Sequence, residues 1–155
     1  MMEALGEITE ALEKIFHAPV HPMFVHFPIA LLIAAFIFQL IGVIAKKEIF
    51  QRTAFHIFIL AAVLAPLTVL TGLGEAREHN ILSHPVALQH MSFALTAVGL
   101  TLAVLGFDLW GRKNQIKNLQ AIFLVCLFVI ACLVSWTAYL GGKLVYTYSV
   151  GIEEE

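Results

Sequence analysis

Charge is scarce in this chain: Lys, Arg, Asp and Glu together make up 13% of its 155 residues, too little to cover the surface of a water-soluble domain of this size. The formal charge of −2 and the lack of a long basic stretch give no footprint for nucleic acid. Cysteine is scarcer still. Cys126 and Cys132 stand six residues apart in the last apolar run, so on a helix they point in different directions and are poorly placed for a bridge. They read as small apolar helix residues and carry no information about redox compartment. Buried carboxylate pairs, a Gly-rich phosphate loop and a Ser/His/Asp arrangement are all missing, which leaves hydrolase and ATPase chemistry without residues. Pro28 and Pro66 could break helices in a transporter. However, no charge stands between Pro28 and Lys46 or between His56 and Gly74, so transport ranks behind the readings below. The N-terminus has no basic region ahead of an apolar one and is not a cleavable signal peptide.

What the chain has instead is apolar length. It is 60% hydrophobic with a mean hydropathy of +0.89, and four runs, 23–45, 53–73, 86–107 and 119–140, each come near the ~20 residues a helix needs to cross ~30 Å of hydrocarbon. The expected fold is an all-α integral membrane protein, a bundle of four transmembrane helices. Lys46, Lys47 and Arg52 separate the first two runs and Arg112, Lys113 and Lys117 the last two; the positive-inside rule makes these the cytoplasmic loops of the cell's inner membrane. Both termini are then outside. Residues 1–20 alternate Glu3, Glu7, Glu10 and Glu13 with Leu5, Ile8, Leu12, Ile15 and Phe16, the pattern of a short interfacial amphipathic helix or of an acidic tail. The expected organisation is that segment, a membrane domain over 21–142 and an outer tail over 143–155.

The first run opens on His21-Pro22-Met23-Phe24-Val25-His26-Phe27-Pro28. An ionisable side chain at membrane depth is costly without a partner and is a functional-site candidate by default. His84-Pro85 followed by His90 opens the third run, so the halves carry the marks of a tandem two-helix repeat that would pair His26 with His90 at equal depth. Short apolar segments also resemble one another cheaply. Bis-His haem b requires two imidazoles at matched depth on diagonal helices of a bundle. Ala30, Ala34, Ala94, Ala97, Thr101, Gly72, Gly74, Gly141 and Gly142 would leave room for the ring, or simply let helix backbones approach. Arg77 and Lys143 are the nearest candidate cations for its propionates. Tyr139, Tyr146 and Trp136 are candidate donors there or interfacial belt residues.

His21 and His84, each just before a proline, read first as helix-start residues and second as reserve ligands. Met23 and Met91 beside the histidines make a copper combination thinkable, and zinc is the other metal to weigh. The bland alternative is a pair of interfacial histidines bonded to backbone carbonyls or water. His56 has no counterpart near the cytoplasmic end and argues against a second haem.

The opening motif through Leu32, together with Gly141-Gly142-Lys143-Leu144-Val145-Tyr146, resembles the DUF2231 family of small prokaryotic membrane proteins over nearly the whole chain. The resemblance implies a four-span domain of formally unknown function, in a family whose members look like haem-b-type bundles and can be joined to redox domains. Where the family pattern continues with a basic residue, a His and a Gly, this chain has Thr147, Tyr148 and Ser149. The expected function is a b-type cytochrome or haem-bearing anchor subunit, not an enzyme by itself, with one haem b on His26 and His90 near the outer face. Its partners would be the bilayer, a redox protein or quinone, and further copies or subunits of a membrane complex. A cofactor-free structural module is the alternative, or an outer-face copper or zinc site.

Overall fold

A helix satisfies its backbone groups within itself, as hydrocarbon demands, and all four apolar runs are helical. The structure is a computed structural model that describes residues 20–78 and 80–150, with Glu7 and Ala11. The expected interfacial helix over 1–20 otherwise lies outside the described residues, as do His17 and His79. Helix α1 spans Val20–Ile44, α2 Glu48–Glu78, α3 Pro85–Lys113 and α4 Leu119–Tyr148. At 25 to 31 residues they run roughly 37–46 Å at 1.5 Å per residue. That exceeds the ~30 Å of hydrocarbon, and all four qualify as membrane spans. The protein is a multi-pass membrane bundle.

Neighbours in the chain are neighbours in space: α1 packs most extensively on α2, α3 on α4, and α1–α4 and α2–α3 close the ring. Helices α1 and α3 are therefore the diagonal pair. Helices α2, α3 and α4 run further than the apolar runs implied. The apolar runs end at Leu73 and Leu140, yet Gly72-Leu73-Gly74 and Gly141-Gly142 lie inside α2 and α4; the backbone there stays helical, and the missing Cβ atoms of Gly72 and Gly141 leave room for histidine rings, described below. The outer tail expected from residue 143 accordingly begins as helix and leaves it only at Ser149, which takes a left-handed φ of 53°. At the start of α3, His84 is the cap and Pro85 the first helical residue; His84 Nδ1 accepts the Val86 N–H at 3.3 Å.

The halves do repeat, in a register different from the one the His-Pro pairs indicated. Equivalent residues lie 69 apart (21 and 90, 68 and 137, 72 and 141). The buried seam of α1, Pro28, Leu32, Ala35, Gln39 and Gly42, maps onto Ala97, Thr101, Val104, Asp108 and Gly111 of α3. Likewise Ala54, Phe58, Ala61, Ala65 and Thr68 of α2 map onto Phe123, Leu127, Ile130, Val134 and Thr137 of α4. Steps of three and four alternate along every seam, as in coiled-coil packing. The two turns match as well: Lys46 and Gln115 take φ of 53° and 51°, and Lys47 N–H and Ile116 N–H return to the carbonyls of Gly42 and Gly111, both at 3.0 Å. In lipid, helices associate through close packing, and here size alternates between the halves. Ala54 and Ala61 on α2 answer Phe123 and Ile130 on α4, and the Phe123 ring lies 5.2 Å from Phe58 on α2. The exposed faces carry large apolar side chains such as Leu60, Val63, Val125 and Phe128, which suit lipid.

Candidate functional site

At the end of the bundle opposite the two basic turns, an imidazole from α1 meets one from α3. His21 and His90 occupy equivalent positions of the repeat, their ring centroids are 6.3 Å apart and their planes stand at 86°. The hydrogen bonds fix which nitrogen holds each proton. His90 Nδ1–H donates to the Thr137 carbonyl at 2.9 Å, and a carbonyl can only accept. His21 Nδ1–H donates to Thr71 Oγ1 at 3.1 Å; the hydroxyl proton of Thr71 is itself directed to the Thr68 carbonyl, also at 3.1 Å, so its oxygen is the acceptor. Thr68 and Thr137 are again repeat mates. Both imidazoles thus carry the proton on Nδ1 and keep Nε2 as a bare acceptor, the arrangement by which metal-ligating histidines are oriented from behind.

Glycine makes the space. A Cβ on Gly72 would stand 2.8 Å from His21 Cε1, and one on Gly141 would stand 3.2 Å from His90 Cε1. Around the rings lies a cavity of about 550 Å³, within the ~300–1,000 Å³ of small-molecule and cofactor sites. Its walls come in repeat pairs: Val25 with Ala94, Ile29 with Val98, Leu32 with Thr101. The expected small residues divide accordingly, Ala94, Ala97 and Thr101 lining it while Ala30 is exposed.

The remaining sequence candidates are placed as follows. His26, expected opposite His90, is exposed at the cavity's edge, and its Nδ1–H donates to the Pro22 carbonyl of its own helix. It lies five residues from His21, about 140° around a helix turning 100° per residue, so the two cannot share the core face. Its repeat mate is Leu95. His84 is spent on capping, with its ring against Tyr148 at 4.7 Å. Arg77 is exposed and Lys143 Nζ lies 6.0 Å from the Tyr148 ring centre, and neither lines the cavity. His56 is exposed near the basic end, with Nδ1–H donating to the Arg52 carbonyl at 2.7 Å. Met23 is exposed while Met91 lines the cavity. Among the described residues no three His, Cys, Asp or Glu side chains converge as a metal site, and both cysteines are free.

A family model described as a predicted membrane protein, DUF2231, matches residues 17–154. The chain belongs to the DUF2231 family. No curated protein and no solved structure matches it.

This DUF2231 chain has a second buried polar layer, which the sequence does not assemble: Asp108 stands out there only as a carboxylate near a span end. Gln39 and Asp108 are both fully buried, and each lies 18 residues, five helical turns, beyond the ring-bearing histidine of its helix (21 to 39, 90 to 108). Gln39 Nε2 donates to the Gln120 carbonyl at 3.0 Å and to Gln120 Oε1 at 2.9 Å. Asp108 Oδ2 accepts from Arg112 Nε, and the Arg112 guanidinium lies 3.9 Å from the centre of the Phe55 ring. The same heptad ladder that leads from His21 to Gln39 was the signal available for both layers.

Proposed function

We propose that this protein is a membrane-bound b-type electron carrier, or the anchor subunit of a redox complex, in which His21 and His90 would hold one haem b. The pair of rings carries the reading. One metal ion would be held between two imidazoles brought together from diagonal helices with both Nε2 atoms free. His21 and His90 are separated by 6.3 Å. Diagonal helices, bare Nε2 atoms and a cavity around the rings are further features that fit the group.

Haem, when bound, supplies one-electron chemistry; the chain's part is to hold and tune. The Thr137 carbonyl and the Thr71–Thr68 relay orient the imidazoles and make Nε2 a better donor to iron. Gly72 and Gly141 admit the rings. The apolar walls keep water away, a factor that sets reduction potential.

The membrane is the cytoplasmic one in this reading, with both termini outside. Lys46, Lys47, Arg52, Lys113 and Lys117 gather at one end, the positive-inside arrangement, and the histidine end then faces outward. A redox protein or a quinone would exchange electrons there.

Protein purified in mild detergent from haem-replete cells should show sharp α and β bands on reduction. His21→Ala or His90→Ala should abolish or severely deplete them, and His26→Ala and His56→Ala should leave them. A colourless wild-type preparation without iron contradicts the proposal; stoichiometric copper or zinc would replace haem as the ligand of the two rings.

A further inference from the structure

The repeat is symmetric in the core and broken at its rim. Where α1 has His26, α3 has Leu95; both are exposed and both border the cavity. The cavity therefore reaches the lipid-facing surface at two related places, one apolar and one bearing an imidazole. Most other wall pairs, Pro22 with Met91, Val25 with Ala94 and Ile29 with Val98, keep the same apolar character. His26 departs from it.

His26 sits six residues beyond Val20, about 9 Å along α1 at 1.5 Å per residue, inside the span and near the headgroups. Its Nδ1–H is committed to the Pro22 carbonyl, which leaves Nε2 as a proton acceptor. Phe27, 63% exposed, and Phe24 and Met23 flank it on the lipid side. An acceptor at membrane depth, approached from lipid over aromatic and thioether side chains, is suited to an apolar ring carrying a hydroxyl.

We infer that the His26 mouth of the cavity binds a lipid-soluble hydroquinone, that His26 Nε2 accepts its hydroxyl proton, and that the haem of the preceding proposal takes its electron. The inference rests on that proposal for the electron step only. The balance closes over two events: one hydroquinone and two ferric haems give one quinone and two ferrous haems. The two O–H bonds break and the two protons pass to His26 of the two molecules, then to water at the rim. Leu95, which cannot accept a proton, makes the other mouth inert.

Two measurements on the full chain in nanodiscs test it, with decyl-benzoquinone and its hydroquinone as probes. The first, equilibrium binding of the quinone, requires no haem. His26→Leu, which copies the Leu95 side, should weaken it roughly tenfold, the worth of one hydrogen bond to the ring. The second is the rate of haem reduction by the hydroquinone, with dithionite reduction of the same sample as the control for intact haem. His26→Leu should slow it by about a hundredfold or more, the scale of a lost general base. His26→Gln, which can hold a hydrogen bond but not a proton, should bind nearly as wild type and still react slowly. Wild-type binding in His26→Leu overturns the inference, whatever the haem content. So does a wild-type reduction rate in either variant. A colourless protein that still binds the quinone through His26 would fault the haem proposal and leave the site standing.

Discussion

Five residues separate His21 from His26, and on a helix that interval places them on different faces. His21 belongs to the ladder of buried positions that continues through Pro28, Leu32, Ala35 and Gln39, whereas His26 faces the rim. The contacts of the glycines translate this into graded effects. A Cβ at Gly72 would meet His21 Cε1 at 2.8 Å, closer than real Cβ atoms come, and one at Gly141 would meet His90 Cε1 at 3.2 Å. Gly72→Ala should therefore reduce haem occupancy or broaden its bands markedly, and Gly141→Ala should do so less. Gly99→Ala and Gly106→Ala, where a Cβ meets nothing within 4 Å, should leave the spectrum unchanged and stabilise the helix slightly, by up to ~1 kcal/mol. Heat-induced loss of the bands measures both. That α1 and α3 each bring a histidine to one end of the bundle was legible in the sequence. The structure pairs the His90 ring with His21 and leaves His26 at the rim, because His21-Pro22 looks like His84-Pro85 and suggests a repeat register other than the one the helices pack in; only His84 has the capping role both were expected to have.

Helices α1 and α3 each carry two polar layers five turns apart, histidine at one end and Gln39 or Asp108 at the other. Asp108 is buried and the side chain of Arg112 is about one-third exposed, so the pair is half inside the bundle. Asp108→Ala leaves the guanidinium beside Phe55 without its counter-ion and should destabilise the protein by about 3 kcal/mol, the lower end for breaking a buried pair. Arg112 can partly recover by reaching toward the headgroups. Replacing both with leucine should cost much less, because a buried pair hardly outperforms apolar packing. Unfolding in mixed micelles by SDS resolves the two cases. Gly42 holds the turn between α1 and α2 in the same region. A Cβ there would stand 2.6 Å from Gln51 Cγ and 2.9 Å from the Gln51 backbone nitrogen, so Gly42→Ala should destabilise α1 against α2. The four helices were legible from apolar length alone. Their ends at α2 and α4 were not, since Gly72 and Gly141 look like stop signals in a sequence and act as ring clearances in the bundle. Asp108 stands out in the sequence as a carboxylate near a span end, but a single carboxylate has no motif; only its 18-residue step from His90 places it on the core face.

For the whole molecule, four crossings return the chain to the side on which it began, and the charge at the two short turns sets which side that is. Single cysteines replacing Lys47 and Lys113, in a chain with Cys126 and Cys132 changed to alanine, should resist an impermeant thiol reagent in intact cells. One replacing Asn80 should react. The reverse labelling would turn the bundle over and carry the histidine end to the cytoplasm. The proposed ligation is tested most directly by the electron paramagnetic resonance spectrum of the ferric protein, since the shape of a low-spin signal reports both the number of axial imidazoles and the angle between their planes. Planes at 86° leave the two iron orbitals that bond with the rings nearly equal in energy, which gives a strongly anisotropic low-spin signal. That signal is expected in wild type and in His26→Ala, and a high-spin signal or no haem is expected in His21→Ala and His90→Ala. No low-spin ferric signal in the wild type, or one that His26→Ala abolishes while His21→Ala retains it, would contradict a haem held between His21 and His90.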